Sequence, residues 1–160
     1  MTDLERLSDQ EIAEAARRLR DLEWPRDRAD VDKIADVFGW RVESRRETVA
    51  RLGTRFGRAT GRFTFEEGRA VRVTAAVSSF VDEESAEERA RLQDAFAGMT
   101  AAVSGALGEP TRRLPGGNPE VRWRGERSTV SLHRLSRIVN IALATNEHVD
   151  EHDWAVSQGL

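Results

Sequence analysis

Apolar residues along the first 40 positions recur at three- and four-residue spacing, the period of a helix. The motif Ser8-Asp9-Gln10-Glu11 is typical of a capping box, and the apolar stripe after it consists of Ile12, Ala15, Ala16, Leu19 and Leu22. A shorter stripe precedes Gly39, a residue type common at helix ends, and it consists of Val31, Ile34, Ala35 and Phe38. Residues 8–39 are therefore predicted to form a helical hairpin.

From Trp40 onward the apolar period changes to two. Alternation over residues 40–81 predicts four strands, and alternation over 119–144 predicts three more. Between them, a capping sequence at Ser85 and a long apolar stripe predict a helix over 86–107, and residues 147–156 are predicted to form a short C-terminal helix. We expect one α+β domain over 1–160, with a single antiparallel sheet of about six or seven strands and helices packed on one face.

The same alternation defines the opposite face of the sheet. Side chains of a strand point to alternate sides, so the residues between the apolar positions should share a solvent-facing surface. This face is predicted to be polar and rich in arginine, and we take it as a candidate binding surface for phosphates or for acidic protein surfaces. The arginines placed on it are Arg51, Arg55, Arg62, Arg72, Arg122 and Arg124.

Charge is sorted by segment in a way that follows these elements. Residues 1–40, 41–81, 82–109, 110–137 and 138–160 carry net charges of −4, +5, −5, +5 and −4, which together make the net charge of −3. The predicted helices are acidic and the predicted strands are basic. Opposed charged surfaces of this kind steer charged partners. The arginine content also has an explanation unrelated to function. A ratio of 24 arginines to one lysine is typical of a GC-rich genome.

A second candidate binding surface is acidic. The segment Asp82-Glu83-Glu84 and the following Glu87 precede or open the predicted long helix. These carboxylates can form a docking site for a basic partner, with Glu83, Glu84 and Glu87 as its candidate residues. The alternative is that they only stabilise the positive end of the helix dipole.

Composition narrows the class of protein. With 160 residues and 39% hydrophobic residues, the chain can bury one core. It has no cysteine, which excludes disulfides and thiolate chemistry. No apolar run approaches the about 20 residues of a membrane span, and the first residues lack the features of a signal peptide. We expect a cytoplasmic protein that does not bind membranes.

Candidate catalytic chemistry is sparse. His148-Val149-Asp150-Glu151-His152 matches the H-x-x-E-H pattern of zinc peptidases, but only Asp153 is at hand as a third ligand, and it is adjacent to His152. We expect no catalytic residues, no metal site and no cofactor, and whether this histidine pair binds metal incidentally stays open. Phosphate-loop and serine-elbow motifs are absent from the sequence. Base stacking on a sheet requires exposed aromatic residues, whereas Phe63, Phe65 and Trp123 fall on the apolar side, which argues against nucleic acid.

Four stretches together resemble an uncharacterised domain family of high-GC Gram-positive bacteria. They span most of the chain, in the family's order, and they are residues 32–40 (DKIADVFGW), 92–96 (LQDAF), 107–110 (LGEP) and 119–124 (PEVRWR). The family is similar to small acidic α+β proteins that act as immunity proteins against bacterial toxins. The resemblance implies a toxin-binding role, and it brings no catalytic residues.

The sequence therefore favours a non-enzymatic protein-binding module, with an immunity protein that neutralises a cognate toxin as the leading hypothesis. A secretion-chaperone-like domain that holds a client is one alternative. A nucleic-acid or phosphate binder that uses the arginine face is another. The sequence leaves open the partner, the face it contacts, the strand order and the oligomeric state.

Overall fold

A computed structural model describes residues 4–160 of the protein. Four α-helices are present in this part of the chain: α1 (Asp9–Asp21), α2 (Val31–Phe38), α3 (Ala86–Leu107) and α4 (Asn146–Ser157). A 3-10 turn at Arg28–Asp30 leads into α2. None of these helices has the length and apolar character needed to cross a membrane.

Nine strands of the same residues form one antiparallel sheet. They are β1 (Arg26–Asp27), β2 (Arg41–Arg45), β3 (Val49–Thr54), β4 (Gly57–Glu66), β5 (Arg69–Ala76), β6 (Arg112–Leu114), β7 (Glu120–Arg124), β8 (Ser128–Arg134) and β9 (Val139–Thr145). Their order is β2-β3-β4-β5-β9-β8-β7-β6, and β1 pairs with the start of β5. The predicted α+β class and single antiparallel sheet are confirmed. The strand number is higher than expected because β1 and β6, with two and three residues, are too short to show a period.

Local sequence explains where the first two helices begin and end. The Ser8 hydroxyl accepts a hydrogen bond from the Glu11 amide at 3.1 Å, and the Glu11 carboxylate accepts one from the Ser8 amide at 2.9 Å, which completes the capping box of α1. Gly39 ends α2 with a φ of 73°, a left-handed conformation that glycine adopts without a steric penalty.

The hydrophobic core lies between the sheet and helices α1, α2 and α3. Strand register aligns one fully buried row across six strands, formed by Ala50, Phe63, Val73, Leu143, Val130 and Trp123. Leu19 of α1 and Leu92 and Met99 of α3 are buried in the same core. Full burial of a leucine-sized side chain contributes roughly 1.5–3 kcal/mol, so this layer accounts for the packing of the first three helices.

Helix α4 is the exception to the expectation that helices pack on one face. Its acidic residues contact arginines of β7, whose side chains point away from the core. The helix has no fully buried residue. Polar contacts, rather than a hydrophobic stripe, therefore hold α4 on the arginine face, which is why apolar periodicity did not predict its position.

Candidate functional site

The candidate site is a row of side chains that crosses the sheet on the face opposite the core. Backbone register places these residues next to one another in the order Arg51, Arg62, Thr74, Ala142, Ser131, Arg122 and Arg112. Arginines therefore stand directly opposite each other at both ends of the row. Like charges in this cross-strand position destabilise a sheet, so a nearby anion would stabilise each pair.

Helix α4 compensates the pair at one end. Asp153 accepts two hydrogen bonds from Arg122, at 2.7 and 2.9 Å, and one from Arg112 at 3.2 Å. On the same strand as Arg122, Arg124 donates two hydrogen bonds to Asp150, at 2.8 and 3.0 Å. Hydrogen bonds from these arginines lower the pKa of both aspartates. The carboxylates of α4 thus neutralise this half of the face.

Arg122 and His133 share a second carboxylate beneath α4. Arg122 is buried and also donates to Glu120, whose other oxygen lies 3.4 Å from Nδ1 of His133. The pKa of His133 is lowered to about 4, mainly by burial. Repulsion from Arg72, Arg122 and His152 lowers it further, whereas attraction by Glu120 raises it. His133 is therefore neutral at pH 7, and its Nε2 lies 2.8 Å from the Ser131 hydroxyl.

The arginine pair at the other end of the row lacks such a helix. Arg51 and Arg62 are both exposed, and within residues 4–160 neither guanidinium has a hydrogen bond or an ion pair. A groove of about 680 Å³ runs along them and is also lined by Arg46. We call this half of the arginine face, with Arg46, Arg51 and Arg62, the open half.

Arg72 lies between the two halves, two residues along β5 from Thr74 of the row. It is partly buried, and in the described part of the chain no side chain or backbone group accepts a hydrogen bond from its guanidinium. Burial and repulsion by Arg62 lower its pKa. Arg72 lines a cavity of about 380 Å³ together with Arg62, Thr74 and Asn140.

The predicted position of Arg55 on the arginine face is wrong. Arg55 follows the end of β3 in a turn, where strand alternation no longer applies, and it reaches toward α1. There its guanidinium donates to Glu11 at 2.8 Å and to the Arg6 carbonyl at 3.0 Å. Arg122 and Arg124 lie on the predicted face, but their side chains already bind the aspartates of α4. Of the six predicted arginines, Arg51, Arg62 and Arg72 have guanidinium groups with no hydrogen bond or ion pair within residues 4–160.

The acidic candidates lie together at the start of α3. Glu83 and Glu84 are exposed in the turn before the helix, and the Glu83 carbonyl accepts a hydrogen bond from Arg89 at 2.6 Å. Glu87 belongs to the first turn and pairs with Arg91 at 2.7 Å. This position near the positive end of α3 is consistent with a helix-stabilising role, and their role as a docking site stays a prediction.

The histidines of the H-x-x-E-H stretch face the sheet. His148 and His152 line a small cavity of about 110 Å³ between α4 and the sheet, with Arg72, Arg122 and His133 around it. Nδ1 of His148 lies 3.3 Å from Glu66. Among the described residues, no three histidines or carboxylates are grouped closely enough to hold a metal ion. Glu120 also lines this cavity, so its lining holds a carboxylate as well as the two arginines.

Asp150 and Asp153 were not predicted as partners of the sheet. One feature indicated them: the last segment carries a net charge of −4 and follows a segment of +5. That charge contrast predicts attraction between the two segments, but it does not specify which acid meets which arginine.

Comparison with known proteins identifies a family for the chain. No curated protein and no solved structure matches it. A family model described as a family of unknown function (DUF6301) matches residues 10–145. The match therefore spans the core helices and strands β1 to β9, and it ends at the residue before α4. The chain belongs to this family of unknown function.

Proposed function

We propose that the chain is a non-enzymatic binding module that receives an acidic segment of a partner protein across Arg51 and Arg62. One observation carries the proposal: the row contains two facing arginine pairs, and only one has an acid within residues 4–160. Asp153 bridges Arg112 and Arg122, whereas no described residue bridges Arg51 and Arg62. The partner would supply the missing carboxylate.

Physical chemistry supports this assignment. A pair of like charges directly opposite each other destabilises the sheet, and two exposed arginines make no interaction with each other that offsets this repulsion. Charge-assisted hydrogen bonds between guanidinium groups and carboxylates are about twice as strong as neutral ones. Arg122 and Arg124 already donate four such bonds to Asp153 and Asp150 of helix α4. An acidic helix or strand of a partner would make equivalent bonds on the open half.

The role we propose for this interface is that of an immunity protein acting in the cytoplasm on a cognate toxin. Neutralisation of a toxin requires a complementary surface and rapid encounter, without chemistry by the binder. A concave surface with one sign of charge accelerates association with an oppositely charged partner. The open half has this character, since its groove is lined by Arg46, Arg51 and Arg62.

Co-purification with the product of the neighbouring gene tests the proposal. The wild-type chain is expected to retain that product and to protect cells that express it. The double variant Arg51→Glu with Arg62→Glu should lose both properties. Arg113→Glu is the matched control, because Arg113 is exposed and lies in register with the core-facing Val121, on the other face of the sheet.

Two results would contradict the assignment. Retention of the partner by the double variant at wild-type level would exclude the open half as the interface. Loss of the partner in Glu83→Lys with Glu87→Lys, together with normal binding by the arginine variant, would move the interface to the acidic start of α3.

A further inference from the structure

We propose that the cavity at Arg72 is a binding site for a phosphate monoester that carries an apolar group. This ligand class differs from the acidic protein segment proposed above. The two proposals share Arg62, but the cavity can be tested with no partner protein present, so each can fail without the other.

Arg72 lacks a hydrogen-bond acceptor. Arg72 is partly buried and burial lowers its pKa, although its guanidinium nitrogens keep some contact with solvent, so an anion in the cavity would stabilise its charged form. Within residues 4–160 the Arg72 guanidinium has no hydrogen-bond partner. The carboxylate that attracts it is Glu120, and the oxygens of Glu120 already face Arg122 and His133. An oxyanion from outside would supply the acceptor.

The lining of the cavity is positively charged. Among the described residues that form it, Arg62 and Arg72 are the charged ones, because His133 is neutral at pH 7. Arg62 faces Thr74 across the β4–β5 pair, and Arg72 is its diagonal neighbour on that strand. Two neighbouring cations with no acid among these lining residues match a dianion. A phosphate monoester carries about one and a half to two negative charges at pH 7, whereas a carboxylate carries one.

The uncharged walls of the cavity suit the rest of such a ligand. Thr74 and Asn140 line it beside the arginines, and among the described residues their side chains make no hydrogen bonds. They can therefore bind further phosphate oxygens. Part of the wall is apolar: it includes Phe80, which is 50% exposed, and Leu135, which is 37% exposed. A volume of about 380 Å³ holds a phosphate and a ring-sized apolar group.

Phenyl phosphate is the probe for the test, with inorganic phosphate and phenylacetate as comparison ligands. In a titration followed by NMR of the arginine side chains and backbone amides, phenyl phosphate should shift Arg72, Thr74 and Asn140. It should bind more tightly than inorganic phosphate, which lacks the apolar group, and more tightly than phenylacetate, which has one charge. Arg72→Met should weaken binding of phenyl phosphate by at least about tenfold.

Two further variants keep the test decisive. Arg72→Lys retains the charge and should bind at a level between wild type and Arg72→Met, while Arg113→Met should bind as wild type does. Equal affinity of wild type and Arg72→Met for phenyl phosphate would overturn the inference. So would equal affinity of the wild type for all three ligands, because the site would then recognise neither the second charge nor the apolar group.

Discussion

Arg122 of β7 and Asp153 of α4 form a two-bonded ion pair, with nitrogen–oxygen distances of 2.7 and 2.9 Å. The Arg122 side chain is only 9% exposed and the Asp153 side chain 31%. Because α4 buries no residue fully, polar contacts such as this pair attach it to the sheet. The helix therefore covers part of the arginine face through charge.

The first prediction concerns this attachment. Asp153→Asn keeps the shape of the side chain but removes the charge that Arg122 requires. Removal of one partner from a buried pair is costly, and partial exposure of Asp153 reduces that cost, so we expect a loss of about 1–3 kcal/mol in the free energy of unfolding. Amide protons of α4 should exchange at least about tenfold faster. Urea denaturation and hydrogen exchange measure these two effects.

Glu151→Gln is the matched control for Asp153→Asn. Glu151 is exposed on the same helix, and within residues 4–160 its side chain makes no hydrogen bond or ion pair. The control should change the free energy of unfolding by less than about 0.5 kcal/mol. Equal effects of the two variants would show that the net charge of α4, and not the pair with Arg122, determines its position.

The second prediction concerns the pH dependence of stability. The pKa of His133 is lowered to about 4 in the folded protein, mainly by burial, whereas an unfolded histidine has a pKa of about 6.5. The unfolded chain therefore takes up the proton first as pH falls. The stability associated with neutral His133 is complete above a pH of about 6.5 and is lost progressively between about 6.5 and about 4, by on the order of 3 kcal/mol.

Urea denaturation at several pH values tests this dependence. His133→Gln cannot take up the proton, so its free energy of unfolding should fall less steeply than that of the wild type between pH 7 and 4. NMR of the His133 ring should show a midpoint near 4. A midpoint near 6.5 would contradict the prediction, because His133 would then have the same proton affinity in both states.

The third prediction concerns association with an acidic partner. Arg51→Glu with Arg62→Glu reverses the two facing charges of the open half, so it should slow association by about tenfold or more at low salt. The salt dependence of the association rate should also become flatter. Stopped-flow or surface-based kinetics at several salt concentrations measure both, and Arg113→Glu should retain the steep dependence of the wild type.

The fourth prediction concerns the close approach of β4 to its neighbours. A Cβ atom at Gly61 would lie 2.8 Å from the Thr74 carbonyl oxygen and 3.3 Å from Cβ of Leu52. The backbone of the neighbouring strand cannot easily shift away from an added methyl group, so Gly61→Ala should destabilise the protein by about 1–3 kcal/mol. Thermal and urea denaturation give the value.

Gly105→Ala is the control for Gly61→Ala, and it should stabilise the protein. Gly105 lies in α3, and a Cβ atom added there would meet no described atom within 4 Å beyond its own stretch of helix. Alanine there should stabilise the helix by roughly 0.5–1 kcal/mol. A destabilisation at Gly105 as large as that at Gly61 would show that close contact is not the cause at Gly61.

Much of the fold was predictable because the relevant patterns are local. Apolar alternation identified the longer strands, and it assigned Phe63 and Val73 to the core and Arg62 and Arg72 to the other face. Alternation failed at Arg55, since the strand ends at Thr54 and the chain turns. The strands β1 and β6 escaped prediction because two or three residues contain no repeat.

The candidate site was predictable only in part. Each arginine of the row could be assigned to a face, but the facing of Arg51 with Arg62, and of Arg112 with Arg122, depends on strand register. Register is set by pairing between separate segments of the chain. The lack of an acceptor for Arg72 within residues 4–160 likewise depends on which groups the folded chain brings to it.

The sequence by itself determined which side of each strand is apolar, because alternation is a property of every extended chain. Only the tertiary structure decided which arginines are compensated. Arg122 and Asp153 are 31 residues apart, and they meet because the chain crosses to the arginine face after β9. Ion pairs depend on distance in space and on burial, and neither quantity is contained in a local pattern of residues.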